Sequence, residues 1–207
     1  MTKYISTIAV IFILFLLPAC ATDNHLSNTQ VDTSSLTSDT LIVEFDYAKQ
    51  SGHASNQFAV WIEDTNGNLV KTLYATRFTV NGGYQNRPDS LLTWVDKSGL
   101  PSMEKDQIDT ITGATPKAGT LSYAWDLTNT NGEALPHGEY LIFVEGSLRW
   151  KNHVLYSANI VIGDTPITVS ANAEYVYEAT DEQAALSADS PENSMIENVT
   201  VRFIPVT

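Results

Sequence analysis

The chain has 207 residues, a hydrophobic fraction of 43% and a formal net charge of −13. This acidic balance argues against nucleic acid and anionic lipid surfaces as electrostatic partners, because both repel a negative protein. Cys20 is the only cysteine, which excludes disulfides within the chain and leaves a hydrophobic core to stabilise any folded domain.

The N-terminal residues predict an export signal. Lys3 supplies a positive charge, and the apolar run from Ile8 to Leu17 is shorter than the roughly 20 residues that a membrane-spanning helix needs. The run leads into Leu17-Pro18-Ala19-Cys20, which resembles the lipobox of bacterial lipoproteins, where the cysteine thiolate takes a diacylglycerol group. We therefore expect a signal peptide over residues 1–19 and a lipidated Cys20. The alternative is an ordinary signal peptide with a cysteine at that position by chance.

A polar segment rich in Ser and Thr follows over residues 20–38. Its composition predicts a flexible tether between the lipid and a single domain over residues 39–207. The residue after Cys20 is Ala21 rather than Asp, so the inner-membrane retention signal of enteric bacteria is absent. In a Gram-negative cell we expect the protein on the outer membrane, facing the periplasm.

The first half of the domain contains three strand-like segments. Alternating or continuous apolar residues predict strands over Leu41–Tyr47, Phe58–Glu63 and Leu69–Ala75. The last two flank Asn66-Gly67, which is the strongest short signal for a β-hairpin.

Residues 77–100 differ from these strands because they contain Gly and Pro punctuation. The stretch Asp89–Lys97 permits two interpretations. It forms either a short helix, with Asp89 or Ser90 as N-cap and Gly99 past its end, or another strand.

The second half of the domain again predicts strands. The turn-rich stretch from Trp125 to Tyr140 resembles the hairpin signature of bacterial immunoglobulin-like modules, and Glu178–Asp189 predicts a small helix or an acidic loop. The fold class is therefore all-β, an antiparallel immunoglobulin-like β-sandwich of seven to nine strands with at most one or two short helices. The predicted strands of this half are Leu121–Asp126, Tyr140–Glu145, Val154–Ile162, Ile167–Val176 and Ile196–Ile204.

The sharpest candidate for chemistry is the segment Asp109-Thr110-Ile111-Thr112-Gly113-Ala114-Thr115. It matches the pattern Asp-x-x-Ser/Thr-Gly-Ala-Thr and resembles the acceptor sequence of the extracytoplasmic FAD:protein FMN transferase, which joins FMN through its phosphate to the final Thr. The resemblance implies that Thr115 is the acceptor and that Asp109 and Thr112 complete the recognition sequence. Gly113 and Ala114 would let the transferase approach the backbone. The alternative is a loop before a strand, with Gly113 at a positive-φ turn and no flavin.

A wider pattern surrounds this motif and resembles the periplasmic domain-of-unknown-function family 2271 over roughly residues 40–205. Its members are often encoded beside flavin transferases and membrane-bound PepSY-type reductases, so the resemblance implies such partners and extracytoplasmic electron transfer. Where members usually have a Gly-rich segment after the Arg, this chain has Trp150-Lys151-Asn152-His153. The residues that carry the resemblance are Ala59-Val60-Trp61-Ile62-Glu63-Asp64, Lys71-Thr72-Leu73, Leu92-x-Trp94, Asp109–Thr115, Trp125-Asp126, Gly138-x-Tyr140, and Glu145 ahead of Arg149.

Other candidate sites rest on weaker patterns. Asp64 and Asp126 begin turns that contain oxygen ligands, but neither turn has the spacing of a calcium loop, and hairpin turns explain both. Four Trp and nine Tyr residues provide either a stacking platform for flavin or sugar, or simply the core of the strands. A zinc site would need convergence in space, with solvated loop residues as the alternative, from the histidines His25, His53, His137 and His153.

Two functions follow from these observations. The first is a lipid-anchored electron carrier that holds FMN covalently on Thr115 and is not an enzyme with its own substrate. The alternative is a non-catalytic immunoglobulin-like binding or scaffold lipoprotein that recognises a protein or a glycan. The chain contains no hydrolase, phosphate-loop or metalloprotease motif.

Overall fold

A computed structural model of the chain describes residues 36–49, 56–113, 115–147, 153–176 and 195–206. The predicted signal peptide, Cys20, most of the predicted tether and the segment Glu178–Asp189 lie outside these residues. Within them, no helix has the length and hydrophobicity to cross a membrane.

Ten strands form two sheets. In chain order they are β1 (Thr40–Tyr47), β2 (Gln57–Asp64), β3 (Leu69–Thr76), β4 (Thr112–Gly113), β5 (Gly119–Trp125), β6 (Gly138–Ser147), β7 (His153–Ile162), β8 (Ile167–Ser170), β9 (Asn172–Val176) and β10 (Ile196–Ile204). The small sheet has the strand order β5-β1-β10-β8, and the large sheet has the order β4-β3-β2-β6-β7-β9. Every pairing is antiparallel except that of β3 with β4, which is parallel.

Short helices fill the chain between β3 and β4. They are α1 (Tyr84–Asn86), α2 (Leu92–Ser98) and α3 (Lys105–Ile111), with a π-helical turn at Thr79–Gly83 and a 3₁₀ turn at Leu100–Ser102. We call this whole stretch, residues 79–111, the helical layer.

The helical interpretation of Asp89–Lys97 is confirmed by α2, and Gly99 ends that helix with a positive φ of 64°. The predicted N-caps Asp89 and Ser90 are wrong. Leu91 occupies the N-cap position in a left-handed conformation, and no side chain at that position caps the helix.

The main core lies between the two sheets. Large side chains of β1, β5 and β10 pack there against those of β2, β6 and β7. Phe45, Phe58, Trp125 and Phe203 are among its fully buried members, and burial of such apolar surface is the main favourable contribution to folding.

A second core lies on the outer face of the large sheet, beneath the helical layer. Trp61 of β2 and Ala75 of β3 pack there against Leu91, Trp94 and Leu100. Because β2 is covered on both faces, its sequence Phe58–Ile62 is continuously apolar instead of alternating.

The sandwich has two distinct ends, which the strand register defines. At the first, β1 begins at Thr40, next to the predicted tether, and Thr40 pairs with Ile204. At the second, β1 ends at Tyr47, whose ring packs 5.4 Å from that of Phe58 near the start of β2. We call these the tether end and the motif end. A strand of this length separates them by about 25 Å.

The all-β sandwich predicted from the sequence is confirmed, but its element counts are higher than predicted. The described residues form ten strands instead of seven to nine, and three α-helices instead of one or two. The predicted strand Ile167–Val176 is two strands, because the chain crosses from the small sheet (β8) to the large sheet (β9) at Ala171. The likeness to immunoglobulin modules stays a prediction.

Candidate functional site

The predicted acceptor motif begins on α3 and not in a loop. A reciprocal capping box starts this helix, in which the side chain of Gln107 accepts a hydrogen bond from the backbone N–H of Glu104 at 2.9 Å. Asp109 lies in the helix and is exposed. A recognition residue at this position is therefore accessible to another protein.

The motif residues Thr112 and Gly113 form β4 and attach the motif to the large sheet. Thr112 pairs with Ala75 and Gly113 pairs with Thr76, and the Thr112 hydroxyl donates to the backbone carbonyl of Ile108. These contacts fix the direction in which the chain leaves α3.

Gly113 has a packing role that the sequence did not reveal. A Cβ atom at this position would lie 2.4 Å from Cε2 of Tyr74, and the residue is buried. Its φ is not positive, so the alternative that placed it at a positive-φ turn is wrong. Glycine is needed here because the Tyr74 ring occupies the space of a side chain.

Thr115 is exposed and lies outside any strand or helix. It sits at the motif end, between Gly113, which pairs with Thr76, and Gly119, which pairs with Tyr47. Ala114 lies outside the described residues. The arrangement meets one requirement of the flavin hypothesis, since a bulky transferase and its cofactor need an accessible hydroxyl.

A group of tyrosines lies behind the motif within the main core. The rings of Tyr74 and Tyr123 are 5.0 Å apart, and Tyr74 stacks on Phe58 at 4.8 Å. Burial raises the pKa of Tyr47 to about 12 and raises the pKa of both Tyr74 and Tyr123. These hydroxyls therefore stay neutral at physiological pH. The Tyr47 hydroxyl is buried without a hydrogen-bond partner among the described residues.

A buried carboxylate joins the helical layer to the large sheet. Glu145 on β6 accepts hydrogen bonds from the backbone N–H groups of Thr93 at 3.2 Å and Trp94 at 2.8 Å. It thereby caps α2 from a remote strand, which explains why Asp89 and Ser90 are not needed. Burial raises the pKa of Glu145, and the two backbone N–H groups partly oppose that rise.

A neighbouring hydroxyl supports the same junction. The side chain of Ser147 accepts a hydrogen bond from the backbone N–H of Leu91 at 2.9 Å, and both residues are fully buried. Ser147 and Glu145 together accept hydrogen bonds from the N–H groups of Leu91, Thr93 and Trp94. The start of the helix is therefore fixed by the sheet.

A cavity of about 370 Å³ lies between α3 and the beginning of β3. Thr115 does not line it, although the motif residues Thr110 and Ile111, which precede β4, do. Its lining mixes polar and apolar side chains, among them Leu69, Lys71, Thr72, Met103, Gln107 and Thr110.

The core interpretation of the aromatic residues is confirmed for three of the four tryptophans. Trp61, Trp94 and Trp125 are fully buried in the two cores, where no ligand ring reaches them. Trp150 lies outside the described residues. Indole N–H groups of the buried set bond to Glu63, Thr72 and the Thr128 carbonyl.

The weaker metal candidates have structural explanations. The Asp64 carboxylate accepts hydrogen bonds from the backbone N–H groups of Asn66 and Asn68, both at 2.9 Å, which closes the hairpin turn. His137 bonds to Asp39 at 2.7 Å, while His25 and His53 lie outside the described residues. Within the described part of the chain, no three His, Cys, Asp or Glu side chains are placed to share a metal ion.

Comparison with known families confirms the family resemblance that the sequence pattern predicts. Residues 40–178 match DUF2271, described as a predicted periplasmic protein. The chain belongs to this family. The match ends before β10, so it is shorter than the span of about 40–205 expected from the sequence. No curated protein and no solved structure matches the chain.

The family establishes a periplasmic, and therefore exported, protein. It carries no activity with it. Sequence reasoning missed two features of the site: the helix that presents Asp109, and the capping role of Glu145. The first had a signal in the Glu104-x-x-Gln107 pattern of a capping box, whereas the second depends on residues about 50 positions apart.

Proposed function

We propose that this protein is a lipid-anchored extracytoplasmic electron carrier with FMN joined through its phosphate to Thr115. The observation that supports this most directly is the exposure of Thr115 at the last position of an acceptor-like motif. FMN supplies one- or two-electron chemistry when bound, and the protein supplies its position. The partners implied are a flavin transferase and a membrane PepSY-type reductase.

The chain's own residues suit this role. The Thr115 hydroxyl is the attachment point, while β4 and the Thr112 hydroxyl hold the preceding backbone against the sheet. Asp109 is exposed on α3 for recognition. A lipidated Cys20 would confine the carrier to the membrane surface, and the intervening polar segment would reach on the order of 25 Å as a random coil.

Co-expression with a flavin transferase tests the proposal. The exported full chain should gain the mass of one FMN less water and show flavin fluorescence in a denaturing gel. Thr115→Ala should abolish both signals, and Thr115→Ser should restore them. Thr110→Ala is the matched control, because Thr110 is an exposed hydroxyl in the same segment at a position that the motif leaves open. An unmodified wild-type mass, or a flavinylated Thr115→Ala chain, would overturn the proposal.

A binding or scaffold role is the second candidate, and the cavity beside α3 favours it. Its mixed lining of Lys71, Gln107 and Leu69 suits a small polar ligand or a side chain of a partner. An unmodified wild-type chain in the co-expression experiment would leave this role as the better explanation.

A further inference from the structure

The two chain segments that leave the parallel pair β3–β4 start from neighbouring residues. Thr76 pairs with Gly113. Arg77 and Phe78 follow Thr76 directly, and Thr115 lies two residues past Gly113. Because parallel neighbours are about 4.8 Å apart and each residue adds at most about 3.8 Å, the Cα atoms of Arg77 and Thr115 are within about 16 Å.

Phe78 is held in place yet exposed. Its side chain is 46% exposed, and it is the only phenylalanine of the described residues to be so exposed. A Cβ atom on Gly83 would lie 2.5 and 2.6 Å from two carbons of the Phe78 ring. The ring therefore rests directly on the Gly83 backbone, and one aromatic surface remains open two residues past the β3–β4 pair.

Arg77 brings a positive charge to the same place. Its side chain is exposed, and within the described residues it makes no ion pair or hydrogen bond. Its charge lowers the pKa of Tyr74 against the larger effect of burial, and the Tyr74 ring contacts Gly113. The guanidinium thus acts on the side of the sheet edge where the motif attaches.

We propose that Arg77 and Phe78 form the seat of the FMN attached to Thr115. The Arg77 guanidinium pairs with the phosphodiester, and the Phe78 ring stacks on the isoalloxazine. This inference rests on the proposed function. A phosphodiester keeps one negative charge and two free oxygens, which match the fork of N–H donors on arginine, and planar aromatic systems prefer offset stacking. The ribityl chain between phosphate and ring gives the cofactor the length to reach from one contact to the other.

The alternative seat, the cavity beside α3, fits less well. It borders Leu69, Lys71 and Thr72 at the beginning of β3 and Thr110 and Ile111 just before β4, whereas Thr115 follows β4. The flavin would have to fold back past β4 to enter it.

The test uses the flavinylated full chain, with intact mass giving the amount of FMN bound and fluorescence reporting its surroundings. Stacking on an aromatic ring restricts the rotation of the flavin and so raises its fluorescence anisotropy. We expect Phe78→Leu, which keeps an apolar side chain, to lower the anisotropy of the bound FMN, because losing one aromatic contact reduces the stacked population by roughly two- to tenfold. Val161→Ala is the control, because Val161 is 61% exposed on β7 and should leave the anisotropy unchanged.

Arg77 is tested by flavin anisotropy as salt is added. Salt screens an exposed ion pair, so the wild-type anisotropy should fall with ionic strength, and Arg77→Ala should start low and show no salt dependence. Arg202→Ala is the matched control, since Arg202 is exposed on β10. If Arg77→Ala is not flavinylated, Arg77→Lys replaces it, and a weakened salt dependence in that variant supports the pairing.

The outcomes separate this inference from the proposed function. A wild-type chain without FMN overturns both. A flavinylated wild-type chain whose anisotropy ignores salt overturns the seat and leaves the carrier intact. Phe78→Leu with unchanged anisotropy likewise overturns the stacking contact.

Discussion

The two ends of the sandwich are stabilised differently. At the tether end, polar contacts among exposed side chains close the sheets: Asp39 accepts hydrogen bonds from the Val206 backbone at 2.8 Å and from His137 at 2.7 Å. At the motif end, buried groups act instead, with Glu145 under α2 and the Tyr74 ring against Gly113. The comparison teaches that the end carrying the exposed Thr115 depends on close packing and buried hydrogen bonds. The acceptor is thus accessible, while buried groups hold the backbone beneath it.

The largest expected effect is the removal of the Glu145 carboxylate. Glu145→Ala leaves the N–H groups of Thr93 and Trp94 without their acceptor, and the free energy of unfolding should fall by about 3 kcal/mol. Denaturation with urea measures this. Glu139→Ala, an exposed residue on the same strand nearer the tether end, should change the stability by less than about 0.5 kcal/mol. Equal losses for the two variants would show that the motif end is not the more sensitive one.

A methyl group at Gly113 should have the next largest effect. Gly113→Ala places a Cβ atom 2.4 Å from the Tyr74 ring, and overpacking of this kind lowers the free energy of unfolding by about 2 kcal/mol. Gly138→Ala is the control at the tether end, where a Cβ would meet nothing within 4 Å. The same urea titration compares them. A Gly113→Ala chain as stable as the wild type would mean that the Tyr74 ring moves aside freely, which would contradict a motif end held by buried groups.

The pH dependence of stability should distinguish the same two ends. Since burial raises the pKa of Glu145 above its ordinary value of 4.5, its contribution is fully present below that value and is lost as the pH rises through the folded-state pKa. Relative to Glu145→Gln, the wild type should therefore lose stability as the pH rises above the ordinary value of 4.5 and through the raised pKa of the folded state. A difference that stays constant, or grows in the opposite direction, would contradict the burial of a carboxyl group at α2.

The smallest effect is expected at the tether end. The backbone N–H of Val206, followed by His137, lowers the pKa of Asp39, so the contribution of its carboxylate is present above the ordinary pKa of 3.8 and is lost as the pH falls through the lower folded value. Asp39→Asn should reduce the free energy of unfolding by less than about 1 kcal/mol near neutral pH, because the side chain is partly solvated. Thermal unfolding of Asp39→Asn, compared with that of Asp64→Asn, which changes a turn carboxylate, measures the loss of stability. A loss as large as that of Glu145→Ala would remove the contrast between the ends.

Local patterns in the sequence determined much of this protein. Alternating apolar residues and the Asn66-Gly67 turn located most strands, because strand period and turn chemistry act between near neighbours. The acceptor-like motif and the family pattern were also visible in the sequence alone. Lipidation of Cys20 and flavinylation of Thr115 remain predictions.

Only the tertiary structure decided the features that join distant residues. The run Ile167–Val176 splits between two sheets because its first part pairs with β10 and its second part pairs with β7, and no local period reports that crossing. Helix α2 starts after Leu91 because two acceptors more than 50 residues away fix its beginning. Ser147 accepts a hydrogen bond from the N–H of Leu91, and Glu145 accepts one from the N–H of Trp94. The neighbours of Thr115 were equally hidden, since parallel pairing of β3 with β4 alone brings Arg77 and Phe78 to the motif. Sequence patterns indicate which local structure a segment favours, but the residues that pair with it depend on how the whole chain packs.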